Sequence, residues 1–279
     1  MTKHPKSELI QPVIISFRAD DAGLCNAANA GILDCIHSGL LRNVSLMTIP
    51  GGFFEAAEML GKHPDVEVGL HVTLTCEWAG VNWKTLLPQE RVSSLVDADG
   101  HLYPDASALL ANEPEEQEFI AEMAAQLARA RAAGLKVRYL DEHMAIGYCL
   151  GFRDAVRRFA ESEGLIYADD LPFAKGLLDD EVDPTRFIEK LATYRGDPAI
   201  QVLHPSRVPV NGEHYLLCGR PDSSIASRRN AERLLIMDPR LASAYHAGRF
   251  VSVSISELHS GFAPPAQGDF TQVVSPGKP

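Results

Sequence analysis

Val13-Ile-Ile-Ser-Phe17 runs directly into Arg-Ala-Asp-Asp-Ala-Gly23, and a helical pattern follows from Asn26 to Ser38. The apolar run lacks strict alternation, which fits a strand covered on both faces, as in a parallel sheet. Six further runs share this character: Val44–Ile49, Val66–Thr73, Val137–Leu140, Leu165–Tyr167, Ile200–Leu203 and Phe250–Ser254. Helical periodicity recurs between them, at Phe53–Leu60, Pro114–Ala133, Phe152–Glu163, Thr185–Tyr194 and Ser223–Leu235. Strands alternating with helices make βαβ units and a parallel sheet. Seven such strands predict an α/β fold, a single-domain distorted (β/α) barrel. An open doubly wound sheet carries the same local pattern and is the alternative.

The stretch Trp78–Asp105 breaks this rhythm, with turn signals at Asp99-Gly100 and Tyr103-Pro104. It reads as an insertion of about residues 78–105 over one barrel end, with a small hairpin near Leu95–Tyr103. From Gly261 the chain is rich in Pro and Gly and is expected to form an irregular tail. Neither an internal repeat nor a low-complexity linker interrupts residues 1–279, so one domain is expected.

A chain of 279 residues can bury most of its apolar surface without staples, so any metal is expected to be catalytic rather than structural. The net charge of −11 disfavours nucleic acid and anionic membrane, and a neutral or cationic small molecule is the better partner. The five cysteines (Cys25, Cys35, Cys76, Cys149 and Cys218) are odd in number and form no CxxC pair. They read as reduced thiols of a cytoplasmic protein. The first residues contain no apolar signal region, and no apolar run is long enough to span a membrane.

The chemistry-bearing residues cluster at the ends of the strands. Asp20 and Asp21 end the first, His71 lies in the third, His143 ends the fourth and His204 ends a later one. In a barrel the C-terminal strand ends meet at one mouth, where active sites are built. One carboxylate with two imidazoles suits a catalytic metal with an open position for water. A second carboxylate beside the first could take a proton from that water, and a histidine could protonate a leaving group. Each residue also has a plainer explanation. A strand-end aspartate can cap the next helix, an isolated histidine can be a hydrogen-bonded core residue, and His204-Pro205 can simply end a strand. Their joint placement is what favours a site.

Three segments in order resemble the YdjC-like family, which includes chitooligosaccharide deacetylases and lies close to the polysaccharide deacetylases. They are Ala19-Asp-Asp-Ala-Gly23 with Asn29-Ala-Gly-Ile32, Val68-Gly-Leu-His-Val-Thr-Leu-Thr75, and Leu140-Asp-Glu-His143. Weaker agreement continues through Ser94–Gly100, His204-Pro205, and Arg229 with Glu232 and Leu235. The resemblance implies removal of an N-acetyl group from an amino sugar or oligosaccharide, on a distorted barrel with one divalent metal ion, zinc or magnesium first. It implies Asp21, His71 and His143 as ligands, Asp20 as base and His204 as the candidate acid. It also implies a homodimer, since the family is often dimeric.

This chain departs from the family within the first segment and after the third. Ala22 stands where phenylalanine is common, and His143-Met-Ala-Ile-Gly147 replaces a histidine-rich run. Met144 and Ile146 are expected to make the neighbouring subsite less polar, favouring an N-acyl substrate with an apolar portion. Two other readings compete with a deacetylase: a sugar-binding protein of the same fold that has lost turnover, and a hydrolase of a non-sugar amide or ester.

Overall fold

The computed structural model of the chain describes residues 12–78, 80–208, 216–217, 220–221 and 223–262. The N-terminal residues, Cys218 and most of the expected tail, residues 263–279, lie outside them. Six strands carry the central sheet: β1 (Val13–Ala22), β2 (Asn43–Leu46), β3 (Glu67–Val72), β4 (Val137–Glu142), β5 (Ile166–Tyr167) and β6 (Ala199–Leu203). Their order is β5-β4-β3-β2-β1-β6, and a seventh strand, Phe250–Ser252, pairs with the start of β1. All these pairings are parallel. Each of the seven expected runs contributes a strand, and the open doubly wound alternative falls away because the sheet curls. Beyond β5, Phe173 bridges to Ile200 of β6, with Ile200 N donating to Pro172 O and Ala174 N donating to Ile200 O, both at 2.8 Å.

Helices cover the outside. Asn26–His37, Phe53–Gly61, Glu116–Ala132, Arg153–Ser162, Pro184–Thr193 and Ser223–Ile236 correspond to the six periodic segments of the sequence. Four short helices had no clear periodic signal: Ala106–Leu110, Ile146–Cys149, Pro239–His246 and Ile255–His259. Capping chemistry nevertheless marks two of them. Asp238 accepts from Arg240 N ahead of Pro239, and Ser254 forms a capping box with Glu257. Among the described residues no helix is long and apolar enough to cross a membrane. The described cysteines are all free thiols.

The inside of the curled sheet is filled from below by Ile200, Val251, Val253, Ile255 and Leu258, packed with Tyr139 and Ala168. Burying each large apolar side chain contributes about 1.5–3 kcal/mol. Tyr139 fits because its neighbour on β3 is Gly69, where a Cβ would fall 2.0 Å from the tyrosine ring. The Tyr139 hydroxyl also hydrogen-bonds Ser45 Oγ at 3.1 Å. Above this apolar plug the inward positions turn polar, and the site begins.

The insertion is tied down by the Glu116–Ala132 helix, whose buried Glu122 accepts from Leu86 N and Leu87 N at 2.8 and 2.9 Å. Val96 and Leu102 form the expected antiparallel contact, around a turn in which Asp97 Oδ1 accepts from Asp99 N and His101 N.

Candidate metal centre

Asp20 and Asp21 are consecutive, so a regular strand would point them to opposite faces. The β1–β2 pairing slips between Ala19 and Ala22, which adds one residue to β1. Asp21 sits in that bulge at φ +66, a left-handed conformation that aspartate tolerates better than most residues. The bulge lets both carboxylates face the mouth.

His71 lies on β3 directly opposite Asp141 of β4. Its Nδ1 is 3.0 Å from Asp141 Oδ2, which fixes the ring and turns Nε2 toward Asp21. His143 follows β4 immediately, and its Nε2 lies 3.0 Å from both oxygens of Glu77. Its Nδ1 therefore faces inward. Three donor atoms converge: Asp21 Oδ1 to His71 Nε2 is 3.3 Å, Asp21 Oδ1 to His143 Nδ1 is 3.4 Å, and His143 Nδ1 to His71 Nε2 is 3.3 Å. Ligands ~2.0–2.1 Å from a tetrahedral ion stand ~3.3–3.4 Å apart, so this triangle fits one face of such a site. Asp21 Oδ1 is buried and makes no hydrogen bond of acceptable geometry, although Oδ2 accepts from Arg229 Nη2 at 2.6 Å. The donor set therefore fits a divalent ion.

Electrostatics agree with a cation-seeking pocket. Burial opposes ionisation of Asp21, yet Arg229, His143 and His71 hold its carboxyl well below the usual range. Burial likewise opposes protonation of the two imidazoles. Asp141, Asp20 and Asp21 overcome it at His71, and Asp21 and Glu77 push His143 up to about 9. Carboxylates thus surround both rings and stabilise positive charge between them, whether proton or metal.

Asp20 is held differently. Arg18 donates to both of its oxygens, Nε to Oδ1 at 2.7 Å and Nη2 to Oδ2 at 2.8 Å. Despite burial, Arg18 keeps the Asp20 carboxyl below its ordinary value. His204 follows β6 with its side chain 41% exposed, and its backbone N donates to Glu232 Oε2 at 2.5 Å. It is near enough to Asp20 to favour that carboxylate, but it stands apart from the donor triangle. The sequence-predicted residues are thus gathered at one end of the sheet, with His204 on the rim.

The sequence reading missed Arg18, Glu77, Asp141 and Asp169. Arg18 was recoverable, since it lies two residues before Asp20 on the same strand and so shares its face, whereas Asp141 meets the site through the pairing of β4 with β3 opposite His71. Glu77 lies in the irregular segment that leads from β3 into the insertion, and no periodicity announced it. Asp169, in the turn after β5, lies 3.7 Å from Arg18 Nη1. The altered segment after His143 divides in two. Met144 is 54% exposed beside the site, whereas Ile146 is fully buried in the core and adds nothing to a subsite.

The family model described as YdjC-like protein matches residues 14–174, more than half of the chain. A carbohydrate deacetylase of Brevibacillus brevis is 27% identical over 269 residues, covering 86% of this chain and 97% of that protein. A second, of Thermoanaerobacter pseudethanolicus, is 32% identical over 125 residues, 45% of this chain and 47% of its own length. Among solved structures, a protein of Enterococcus faecalis described as a proposed cellobiose-phosphate cleavage protein superposes with a TM-score of 0.67. That match has 18% identity and covers 89% of this chain and 99% of the other. At this identity the likeness speaks for the fold alone.

Proposed function

The chain belongs to the YdjC-like family, and from that premise we propose that it is a metal-dependent hydrolase removing the acetyl group from an N-acetylated amino sugar or oligosaccharide. Relatives named carbohydrate deacetylase support the sugar substrate. The observation that carries the metal is the 3.3–3.4 Å triangle of Asp21 Oδ1, His71 Nε2 and His143 Nδ1. These three residues would hold one divalent ion. Two imidazoles and one carboxylate suit zinc well and leave magnesium the weaker fit. When bound, the ion supplies Lewis acidity, acidifying water and polarising the acyl oxygen.

The chain's own residues do the rest. Asp20, kept ionised by Arg18, accepts the proton of the attacking water, and the guanidinium fork restrains the direction of its carboxylate. Asp141 and Glu77 hold the two imidazole rings in their ligating orientation. His204 at the rim gives a proton to the departing amine, so that the amide C–N bond breaks to acetate and a free amino sugar. The same reading takes the chain as a single domain working as a cytoplasmic homodimer on a small molecule; light scattering of the purified protein checks the dimer.

Metal analysis combined with acetate release from N-acetylglucosamine oligomers tests the whole reading. About one ion per chain is expected, with release abolished by a chelator and restored by the ion. Protein that takes up no metal under any loading condition would sink the proposal. Bound metal with no acetate from any amide or ester would leave the sugar-binding reading in its place.

A further inference from the structure

Beside the donor triangle lies a second set of groups. Asp20, His71 and Asp141 are all buried, and one ligand atom from each lies within 4.8 Å of the others. Two carboxylates and an imidazole would suit a divalent cation. The trio shares His71 with the first set, and hydrolases with two metals place them only ~3.5–4 Å apart.

Arg18 lies against this second set. It precedes Asp20 by two residues on β1, so strand periodicity puts both side chains on the same face. Its Nη2 reaches Asp20 Oδ2 at 2.8 Å and Asp141 Oδ2 at 3.0 Å, bridging the two carboxylates, while Nε holds the other Asp20 oxygen. The guanidinium is buried, 3% exposed, and cannot give up its proton. Arg229 behaves differently toward Asp21, donating to Oδ2 while Oδ1 faces the imidazoles.

We infer that Arg18 is a built-in cation that takes the place of a second metal ion between Asp20 and Asp141, confining metal binding to Asp21, His71 and His143. The inference rests on the metal reading proposed above. It explains how two adjacent aspartates acquire different roles. Both Asp20 oxygens are engaged by a charge that cannot dissociate, whereas Asp21 keeps one oxygen for the ion. Without Arg18, the two buried carboxylates would lose the cation between them, and such a pair either takes up protons or binds a cation.

Cobalt titration of metal-free protein, followed by visible absorption and by elemental analysis after desalting, tests this directly. Wild type should bind one ion per chain. Arg18→Gln should bind a second, or show a cobalt spectrum changed by recruitment of Asp20. The double variant Arg18→Gln with Asp20→Asn should return to one ion and the wild-type spectrum. One ion with an unchanged spectrum in Arg18→Gln overturns the inference, as do two ions in wild type. Should Arg18→Gln fold poorly, Arg18→Lys carries the test. It keeps the charge but loses the fork, so the spectrum should shift and cobalt affinity should change about tenfold or more; wild-type values for both overturn the inference. Wild type that takes up neither cobalt nor zinc fails at the earlier step, the metal reading itself.

Discussion

Arg229 donates to Oδ2 of Asp21 at 2.6 Å and leaves Oδ1 facing the two imidazoles at 3.3 and 3.4 Å. This single contact orients the carboxylate from a helix far along the chain. Asp20, one residue earlier, has both oxygens occupied by Arg18. Adjacent residues of the same type are thereby made chemically unequal.

That inequality should appear in paired variants. Asp21→Asn should lose most bound metal, because the amide presents a weaker ligand at Oδ1. Asp20→Asn should keep the metal and lose about two to four orders of magnitude in kcat, the usual range for a general base. Elemental analysis and acetate release on the same preparations decide it. Equal metal loss in both variants contradicts the assigned roles.

Glu77 and Asp141 touch the two imidazoles proposed as ligands. Asp141 holds His71 Nδ1, and Glu77 holds His143 Nε2, each at 3.0 Å. Partners of this kind typically contribute about 10–100-fold to metal affinity. Glu77→Gln and Asp141→Asn should each weaken binding by that order in competition with a chromogenic chelator. Affinities indistinguishable from wild type would mean the rings are held by packing alone.

Much of this architecture is legible in the sequence alone. Seven apolar runs match the seven strands of the sheet because parallel strands buried on both faces are apolar along their whole length and alternate here with helical segments, and the strand-end positions of Asp21, His71 and His143 point to one mouth. What could not be read was the bulge at Asp21, which depends on how β2 pairs with β1 and has no composition of its own. Short helices such as Ile255–His259 also escaped, since five residues are too few to show a period. Glu77 was invisible for another reason: an irregular segment brings it to His143, and irregular backbone carries no rule linking position to direction.

His204 remains the most separable of the catalytic assignments. Its side chain is 41% exposed, and among the described residues its carboxylate contact is a long one, Glu232 Oε2 lying 3.9 Å from Nδ1. An amine leaving group needs a proton, whereas a phenolate leaves without one. His204→Ala should therefore slow hydrolysis of an N-acetyl amide far more than that of an activated acetyl ester. Equal losses on both substrates would reassign His204 to substrate positioning.

Asp169 makes a stability prediction. Burial, together with Asp141, Glu142 and Asp20, pushes its carboxyl up to about 7, with Arg18 only partly offsetting them. The unfolded value is near the ordinary ~3.9. Because the folded value is the higher one, the stability this group contributes is fully present below ~4 and is lost as pH rises through about 7. Asp169→Asn removes that loss. Relative to wild type, the variant should gain on the order of 4 kcal/mol between pH 4 and pH 8 in denaturant unfolding of the metal-free protein. A stability difference that does not change with pH would show that Asp169 titrates normally.

The segment after His143 bears on substrate choice. Met144 and Ala145 both adopt left-handed backbone, at φ 56 and 50, which costs non-glycine residues about 1–3 kcal/mol each. Glu142 holds the turn by accepting from Gly147 N, Tyr148 N and the Tyr167 hydroxyl. A Cβ at Gly147 would stand 2.8 Å from the Glu142 carboxylate and 2.9 Å from a Val156 methyl, so a larger residue there displaces the side chain that holds the turn. The result is a pinned lip that exposes Met144 by 54% and Tyr148 by 66% next to a metal-ligand candidate, while Ile146 is drawn into the core. A flexible thioether and an aromatic face suit an apolar group better than another hydroxylated sugar. An N-acetylglucosaminide with an aryl aglycone should therefore be turned over with a lower KM than diacetylchitobiose. Met144→Ser should raise the KM for the aryl substrate about three- to tenfold, in line with partial loss of a buried methionine contact, and leave kcat nearly intact. The two substrates should then converge. If diacetylchitobiose is already the better substrate, or if Met144→Ser moves both KM values alike, the lip does not select the substrate, and the strained turn serves only to place His143.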